Sequence, residues 1–138
     1  MKKILLAVDD TASCQKAAEF IVDFFGDRED CTFTLIHIRT PIMLYGEAVL
    51  AAYEEIEKRE SEENNKLLEK FSTIFTSKGI KVEQISLEGE AVTEVLKCAK
   101  DFHLLVIGQS EESIWNKIFS SNQSDFSQKS PVPILIVK

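Results

Sequence analysis

The stretch VIGQSEESIWNKIFSSN, residues 106–122, contains residue types that could bind phosphate. It begins as a buried strand, turns at Gly108 and continues into a weak helical pattern. Turns of this kind can hold phosphate oxygens with backbone N–H groups, and glycines let the backbone come close to the ligand. No glycine follows Gly108 in this chain. Three interpretations are therefore open: a nucleotide site, a site that has lost its ligand, and an ordinary strand-to-helix turn.

The acidic pair Asp9 and Asp10 directly follows the apolar run KILLAV. Such a pair resembles the acidic pair of response-regulator receiver domains, in which clustered carboxylates hold Mg²⁺ beside a phosphorylatable Asp on a later strand. This chain has no Asp between residues 31 and 100, where that phosphate acceptor should lie. The receiver interpretation therefore fails.

The cysteines and histidines form no catalytic or metal-binding pattern. Cys14, Cys31 and Cys98 are widely spaced, without a CxxC pair, and we interpret them as reduced and mostly packed thiols. His37 lies inside a strand pattern, where a packed, hydrogen-bonded imidazole is expected, and His103 is interpreted as a turn residue. No nucleophile–base or paired-carboxylate arrangement can be identified. We expect no metal site, and the sequence gives no support for an enzyme.

Strands and helices alternate along the chain. Strands are predicted at Lys3–Val8, Thr32–Ile38, 80–87, 104–108 and in the closing SPVPILIVK, and helices up to Gly26 and at about 47–77, 91–102 and 114–129. This alternation predicts right-handed crossovers onto a parallel sheet. The fold class is α/β, a single doubly wound five-stranded parallel sheet, flavodoxin-like or Rossmann-like, with strand order 3-2-1-4-5. Ligands bind such sheets where the strand order reverses, between strands one and four. Asp9 and Gly108 end those two strands.

The bulk properties predict one domain spanning residues 1–138. A net charge of −7 argues against binding to a nucleic-acid backbone, which needs a basic face. No apolar run approaches the roughly 20 residues that span a bilayer, and the N-terminus has no signal-peptide cleavage pattern. We expect a cytoplasmic protein that binds neither nucleic acid nor membrane.

The chain as a whole resembles the universal stress protein (UspA-like) family. The resembling segments, in order, are KILLAVDDTASC, FTLIHI, LEGEAVTEVLKCAKDF, LLVIG and the proline-flanked SPVPILIV. Each segment is weak evidence alone, but their order and spacing together are fairly specific. The resemblance implies the same fold class, described as adenine nucleotide alpha hydrolase-like.

The resemblance also identifies a degenerate ATP-binding motif. In nucleotide-binding members, strand four is followed by Gly-x-x-Gly, nine residues, and then Gly-Ser or Gly-Thr. Aligned without gaps, these four positions fall on Gly108, Glu111, Ser121 and Asn122, so only the first glycine is retained. Glu111 would crowd the turn and could repel phosphate oxygens by about 1 kcal/mol even in high dielectric. Ser121 and Asn122 are milder changes, since both can hydrogen-bond an oxygen.

By the same resemblance, a pocket for adenine and ribose would be lined by Ala7, Asp9, Ile38, Ile107 and Gly108. The alternative is that the apolar members of this set are simply strand ends in the core. Asp10 stands where many members have Gly, and it could equally cap the first helix. Trp115 and Phe119 either fill the space of a missing ligand or form an exposed contact patch, and we favour packing.

The resemblance implies a homodimer through the terminal strand Ile134–Val137, since family members commonly pair this strand with its twin. We therefore expect a dimeric stress-response or regulatory module with an unknown regulatory protein partner, no cofactor and no dependence on ATP. The alternative is a switch that binds ATP or AMP, with slow hydrolysis at most.

Overall fold

The computed structural model describes residues 1–39, 49–111, 113, 115 and 129–138. Five parallel strands form one sheet in the order β3-β2-β1-β4-β5. The strands are β1 (Lys2–Ala7), β2 (Cys31–Arg39), β3 (Val82–Glu88), β4 (Leu104–Gly108) and β5 (Ile134–Val137). The predicted fold class and strand order are confirmed.

Three described helices connect these strands: α1 (Ala12–Phe25), α2 (Val49–Thr76) and α3 (Ala91–Ala99). Thr11 begins α1 as its N-cap, because its hydroxyl accepts a hydrogen bond from Cys14 N at 3.2 Å. α2 is 28 residues long, about 42 Å at the usual helical rise. Gly79 follows it with a φ of +74°, and Ile80 N donates back to Phe75 O at 3.0 Å, which closes the end of the helix.

The sheet is covered on both faces, since alternate residues of β1 enter two separate apolar clusters. Ile4 and Leu6 pack with α1 and α2 on one face, where Phe33 and Phe75 lie with ring centroids 5.4 Å apart. Leu5 packs with α3 on the other face. Strands buried in this way are expected to be continuous apolar runs, as KILLAV is.

The differences from the predicted boundaries are small. α3 ends at Ala99, although its apolar periodicity continues to Phe102. The chain tightens there, with Phe102 N donating to Ala99 O, so Phe102 still reaches the core. Most of the predicted fourth helix, 114–129, lies outside the described residues, as do the 40–46 part of the predicted connection and the first predicted residues of α2. None of the helices in the described part of the chain is long and apolar enough to cross a membrane.

Candidate functional site

A cleft of about 740 Å³ lies at the carboxyl ends of β1 and β2, between these strands and α2. Its lining residues are Asp9, Asp10, His37, Ile38, Arg39, Glu60, Glu63, Asn64, Lys66, Leu67 and Lys70. This volume is within the usual range for small-molecule sites. Like the ligand sites of open parallel sheets, the cleft lies beyond the carboxyl ends of the strands, but it lies beside β1 and β2 and not between β1 and β4, where the sequence predicted a site. We treat this cleft as the candidate functional site.

Asp9 lies at the inner end of the cleft and is 9% exposed. Its Oδ1 accepts a hydrogen bond from the Thr11 hydroxyl, whereas its Oδ2 has no partner among the described residues. Burial raises the pKa of this carboxyl above its ordinary value, and the hydroxyls of Thr11 and Ser113 offset part of the rise. Asp9 therefore has an unused acceptor on a carboxylate that is costly to keep charged.

A group of hydroxyls links Asp9 to the turn after β4. Ser13 Oγ lies 3.1 Å from Thr11 Oγ1 and 3.2 Å from Ser110 Oγ. In this way the first turn of α1 is tied by side chains to the segment that follows Gly108. The side-chain hydroxyls at the start of α1 therefore already form hydrogen bonds within the protein.

Gly108 lies directly against the start of α1. A Cβ built on Gly108 would be 2.5 Å from each of three backbone atoms, Ser13 C, Ser13 O and Cys14 N. Any side chain at this position would therefore require α1 to move. This contact accounts for a glycine at position 108 without reference to a ligand.

The segment after Gly108 folds back into the protein. Ser113 N donates to Ser110 O at 3.0 Å, and the Ser113 hydroxyl donates to Gly108 O at 3.1 Å. Trp115 is 1% exposed and packs in the same apolar cluster as Ile107, so its predicted packing role is confirmed. Glu111 is exposed on the turn. The turn is thus held by its own hydroxyls and anchored by a buried tryptophan.

A second polar group lies under the opposite side of the cleft. Asn64, 5% exposed on α2, accepts hydrogen bonds at Oδ1 from the Ser86 hydroxyl at 3.2 Å and from His37 Nδ1. The predicted hydrogen-bonded imidazole is therefore confirmed. Because Asn64 Oδ1 can only accept, Nδ1 of the imidazole is the donor in this hydrogen bond.

Arg39 lies at the end of β2, two residues after His37 and on the same face of the strand. Its side chain is 19% exposed, and its Nη2 donates to Glu57 Oε1 at 2.9 Å, with Glu88 Oε2 at 3.9 Å. Its Nη1 is buried and has no hydrogen-bond partner among the described residues. Arg39 thus brings a partly paired guanidinium to the wall of the cleft.

The residues predicted for the adenine and ribose pocket do not all reach the cleft. Asp9 and Ile38 line it, Ala7 and Ile107 are 2% and 0% exposed in the core, and Gly108 faces α1. Ser121 and Asn122, like Phe119, lie outside the described residues. The sequence reasoning missed Arg39 and Asn64. Arg39 could have been found from its spacing of two from His37 on one strand, whereas Asn64 is hidden in a highly charged helix.

The fold and the cleft define a class: a doubly wound α/β protein with a small-molecule-sized cleft at the carboxyl edge of its sheet. Within that class the chain belongs to the universal stress protein family, whose family model, described as "Universal stress protein family", matches residues 1–138. A universal stress protein of Helicobacter pylori strain 26695 is 32% identical over 135 residues, which are 98% of each chain.

Solved structures agree with this assignment at the level of the fold. The universal stress protein UspA of Lactobacillus plantarum superposes with a TM-score of 0.78 at 13% identity, covering 99% of this chain and 97% of its own. A universal stress family protein of Arabidopsis thaliana, solved with AMP bound, superposes with a TM-score of 0.72 at 15% identity, covering 100% and 92%.

Proposed function

We propose that this chain is a dimeric stress-response or regulatory module of the cytoplasm that does not depend on ATP. One observation carries the proposal: the backbone around Gly108, where a triphosphate loop would begin, is packed against Ser13 and Cys14 of α1. Phosphate-binding turns need bare backbone facing the ligand. Here that backbone is in contact with a helix of the same protein.

The charge of the turn supports the same conclusion. Glu111 is exposed on it, in the place of the second motif glycine. The turn carries no lysine or arginine among its described residues, 108–111, 113 and 115. A carboxylate at about 4 Å from a phosphate oxygen costs about 1 kcal/mol even in water, and more in a partly buried site. An ATP-binding role would have to overcome this repulsion, and none of these described residues supplies a compensating cation.

The dimer proposal rests on β5. Among the described strands it lies at the edge of the sheet and pairs with β4 alone, and all four of its residues are half-buried. An open apolar edge favours pairing with another strand. A second copy of the chain, paired through Ile134–Val137, would cover this edge.

Isothermal titration calorimetry of the purified protein with ATP and Mg²⁺ tests the proposal. We expect no saturable binding, and micromolar affinity would contradict it. A triple variant, E111G with S121G and N122S, restores the motif and should gain affinity. An unchanged titration of that variant would show that the loop residues are not what limits ATP binding.

A second function, an AMP- or ATP-binding switch with slow hydrolysis at most, is favoured by the buried Asp9. Its Oδ2 has no partner among the described residues, and Asp9 and Ile38 both line the cleft. The Arabidopsis thaliana relative was solved with AMP bound. A nucleotide that copurifies with the protein would favour this function over the first.

A further inference from the structure

A groove of about 470 Å³ lies between α3 and the segment before β5, on the face of the sheet opposite to α1 and α2. We call it the α3 groove, and it shares no lining residue with the candidate functional site. Its apolar part is formed by Val92 and Leu96 of α3 together with Pro131. Val92 and Leu96 are half-buried against the apolar cluster under α3. An apolar side chain seated in the α3 groove would therefore lose water-exposed surface on a ready-made apolar patch.

Three lysines surround this apolar part. Lys97 directly follows Leu96, Lys100 is one turn further at the end of α3, and Lys129 belongs to the other wall. All three are exposed, and Lys97 Nζ lies 3.6 Å from Glu94 Oε1. No described residue forms an ion pair with Lys100 or Lys129. The α3 groove is therefore a local concentration of positive charge in a chain whose net charge is −7.

The helix alone does not account for this charge. Cations are favourable near a helix C-terminus, so Lys97 and Lys100 by themselves would need no ligand. Lys129 is not part of α3, and it adds a third positive charge from a separate segment. Like charges around one groove repel one another, and carboxylates bound among them would turn that repulsion into attraction.

The charge of the rest of the chain decides between possible anionic ligands. A nucleic acid or an anionic bilayer extends beyond the groove and would meet a surface of opposite preference, since the net charge is −7. The acidic helix α2 of a second copy is a poorer complement as well. Its exposed Tyr53 and Glu54 are accompanied by Lys58, which docking would bring toward the lysines of the α3 groove. A short acidic segment without lysine avoids both conflicts.

We propose that the α3 groove binds an acidic segment of a partner protein. Carboxylates of the segment pair with Lys97, Lys100 and Lys129, and an apolar side chain of the segment packs against Leu96 and Pro131. Eight residues of α3 separate the two ends of the groove, about 12 Å of helix, which is the length of about four extended residues.

This inference names the chemistry of the regulatory protein partner in the proposed function, and its regulatory role rests on that proposal. The turn after β4 has no part in it. The ATP titration can therefore fail or succeed independently of binding to the α3 groove.

The test is a titration of the fluorescein-labelled peptide GEELEELEG with the purified protein, followed by fluorescence anisotropy. We expect saturable binding that weakens when NaCl is raised from about 50 mM to about 500 mM, because exposed charges are screened. The peptide GQQLQQLQG removes the charge and GEESEESEG removes the apolar side chains, and both should bind more weakly. No binding of the first peptide, or equal binding of either control peptide, would overturn the proposal.

Variants locate the binding. K100Q combined with K129Q should weaken the acidic peptide about fivefold, the sum expected for two exposed ion pairs. The matched control is K16Q combined with K78Q, two exposed lysines outside the groove, which changes the net charge equally and should leave the affinity unchanged. Equal weakening by the two variants would refute the assignment to the α3 groove.

E94Q tests the same groove without removing a lysine. It releases Lys97 from its carboxylate, so the peptide should bind as tightly or more tightly, and weaker binding would count against the proposal. The variant K100Q with K129Q should keep the oligomeric state of the unchanged protein in sedimentation analysis. A changed oligomeric state would assign the groove to a second copy. Binding to phosphatidylserine vesicles that this variant abolishes would assign it to a membrane, and either result would overturn the proposal.

Discussion

Replacing Gly108 with alanine tests whether this glycine is required by packing. The new Cβ would lie 2.5 Å from three backbone atoms of Ser13 and Cys14, whereas carbon atoms pack best at about 3.5–4.0 Å. All three atoms belong to the backbone, so no flexible side chain can move away, and α1 itself must shift. We expect the G108A variant to fold less stably than the unchanged protein.

The magnitude follows from two opposing effects. Overpacking costs about 1–3 kcal/mol, and contact with backbone favours the upper end. Alanine also restricts the unfolded chain, which returns about 0.4–1 kcal/mol. The net loss in the free energy of unfolding is therefore about 2 kcal/mol. With about 2.1 cal/mol/K of unfolding entropy per residue over 138 residues, this lowers Tm by about 7 °C.

Thermal unfolding followed by circular dichroism measures this shift. The matched control is G79N, because Gly79 has open space around it and Asn tolerates its φ of +74°. Asn at this φ is strained, but by no more than about 1 kcal/mol, so we expect a Tm loss of at most about 3 °C, less than half that of G108A. An unchanged Tm for G108A would refute the packing explanation, and loss of AMP binding at unchanged stability would show that the glycine serves a ligand.

Two further predictions concern the cleft and the sheet edge. The folded state binds the Asp9 proton more tightly than the unfolded state does, so stability from this group is greatest below about pH 3.8 and falls as pH rises through the raised pKa. D9N should remove this loss, so the free energy of unfolding should depend less on pH. The measurement is urea unfolding at several pH values, and an unchanged slope of the free energy of unfolding against pH would contradict the prediction. I136K places a charge on the half-buried β5 edge and should convert the proposed dimer to monomer in sedimentation analysis, with K129M, an exposed change outside β5, as its control. A native protein that is monomeric at high concentration would end that proposal.

The sequence predicted the strands because they are short apolar runs separated by helical periodicity, and such patterns depend on local composition. Their order was predicted from the doubly wound fold class that this alternation indicates. β4 was predicted at its observed bounds, since LLVIG is a continuous apolar run that ends at a glycine, and all of its residues except Leu104 are buried. Ile80 was wrongly assigned to β3, because its backbone N donates to Phe75 O at the end of α2 and its side chain packs in the apolar cluster beside Phe75.

The candidate site was less accessible to sequence reasoning. Asp9 and Ile38 follow strands and were identified from position and resemblance, and both line the cleft. Trp115 packs in the same apolar cluster as Ile107 because the turn after β4 folds back onto the protein, which no local sequence pattern indicates. Arg39 and Asn64 line the cleft from two elements that are distant in sequence, β2 and α2. Their hydrogen-bond partners can therefore be identified only in the folded chain.

The central position of β1 has a consequence for synthesis on the ribosome. β1 can pair with β2 as soon as Arg39 has emerged, but its other edge is covered only by β4, which begins at Leu104. At about 5–20 residues per second, the intervening chain takes on the order of several seconds to make. During that interval the nascent protein has an apolar strand with one unpaired edge, which is prone to aggregation. We expect chaperones to bind the nascent chain at this stage.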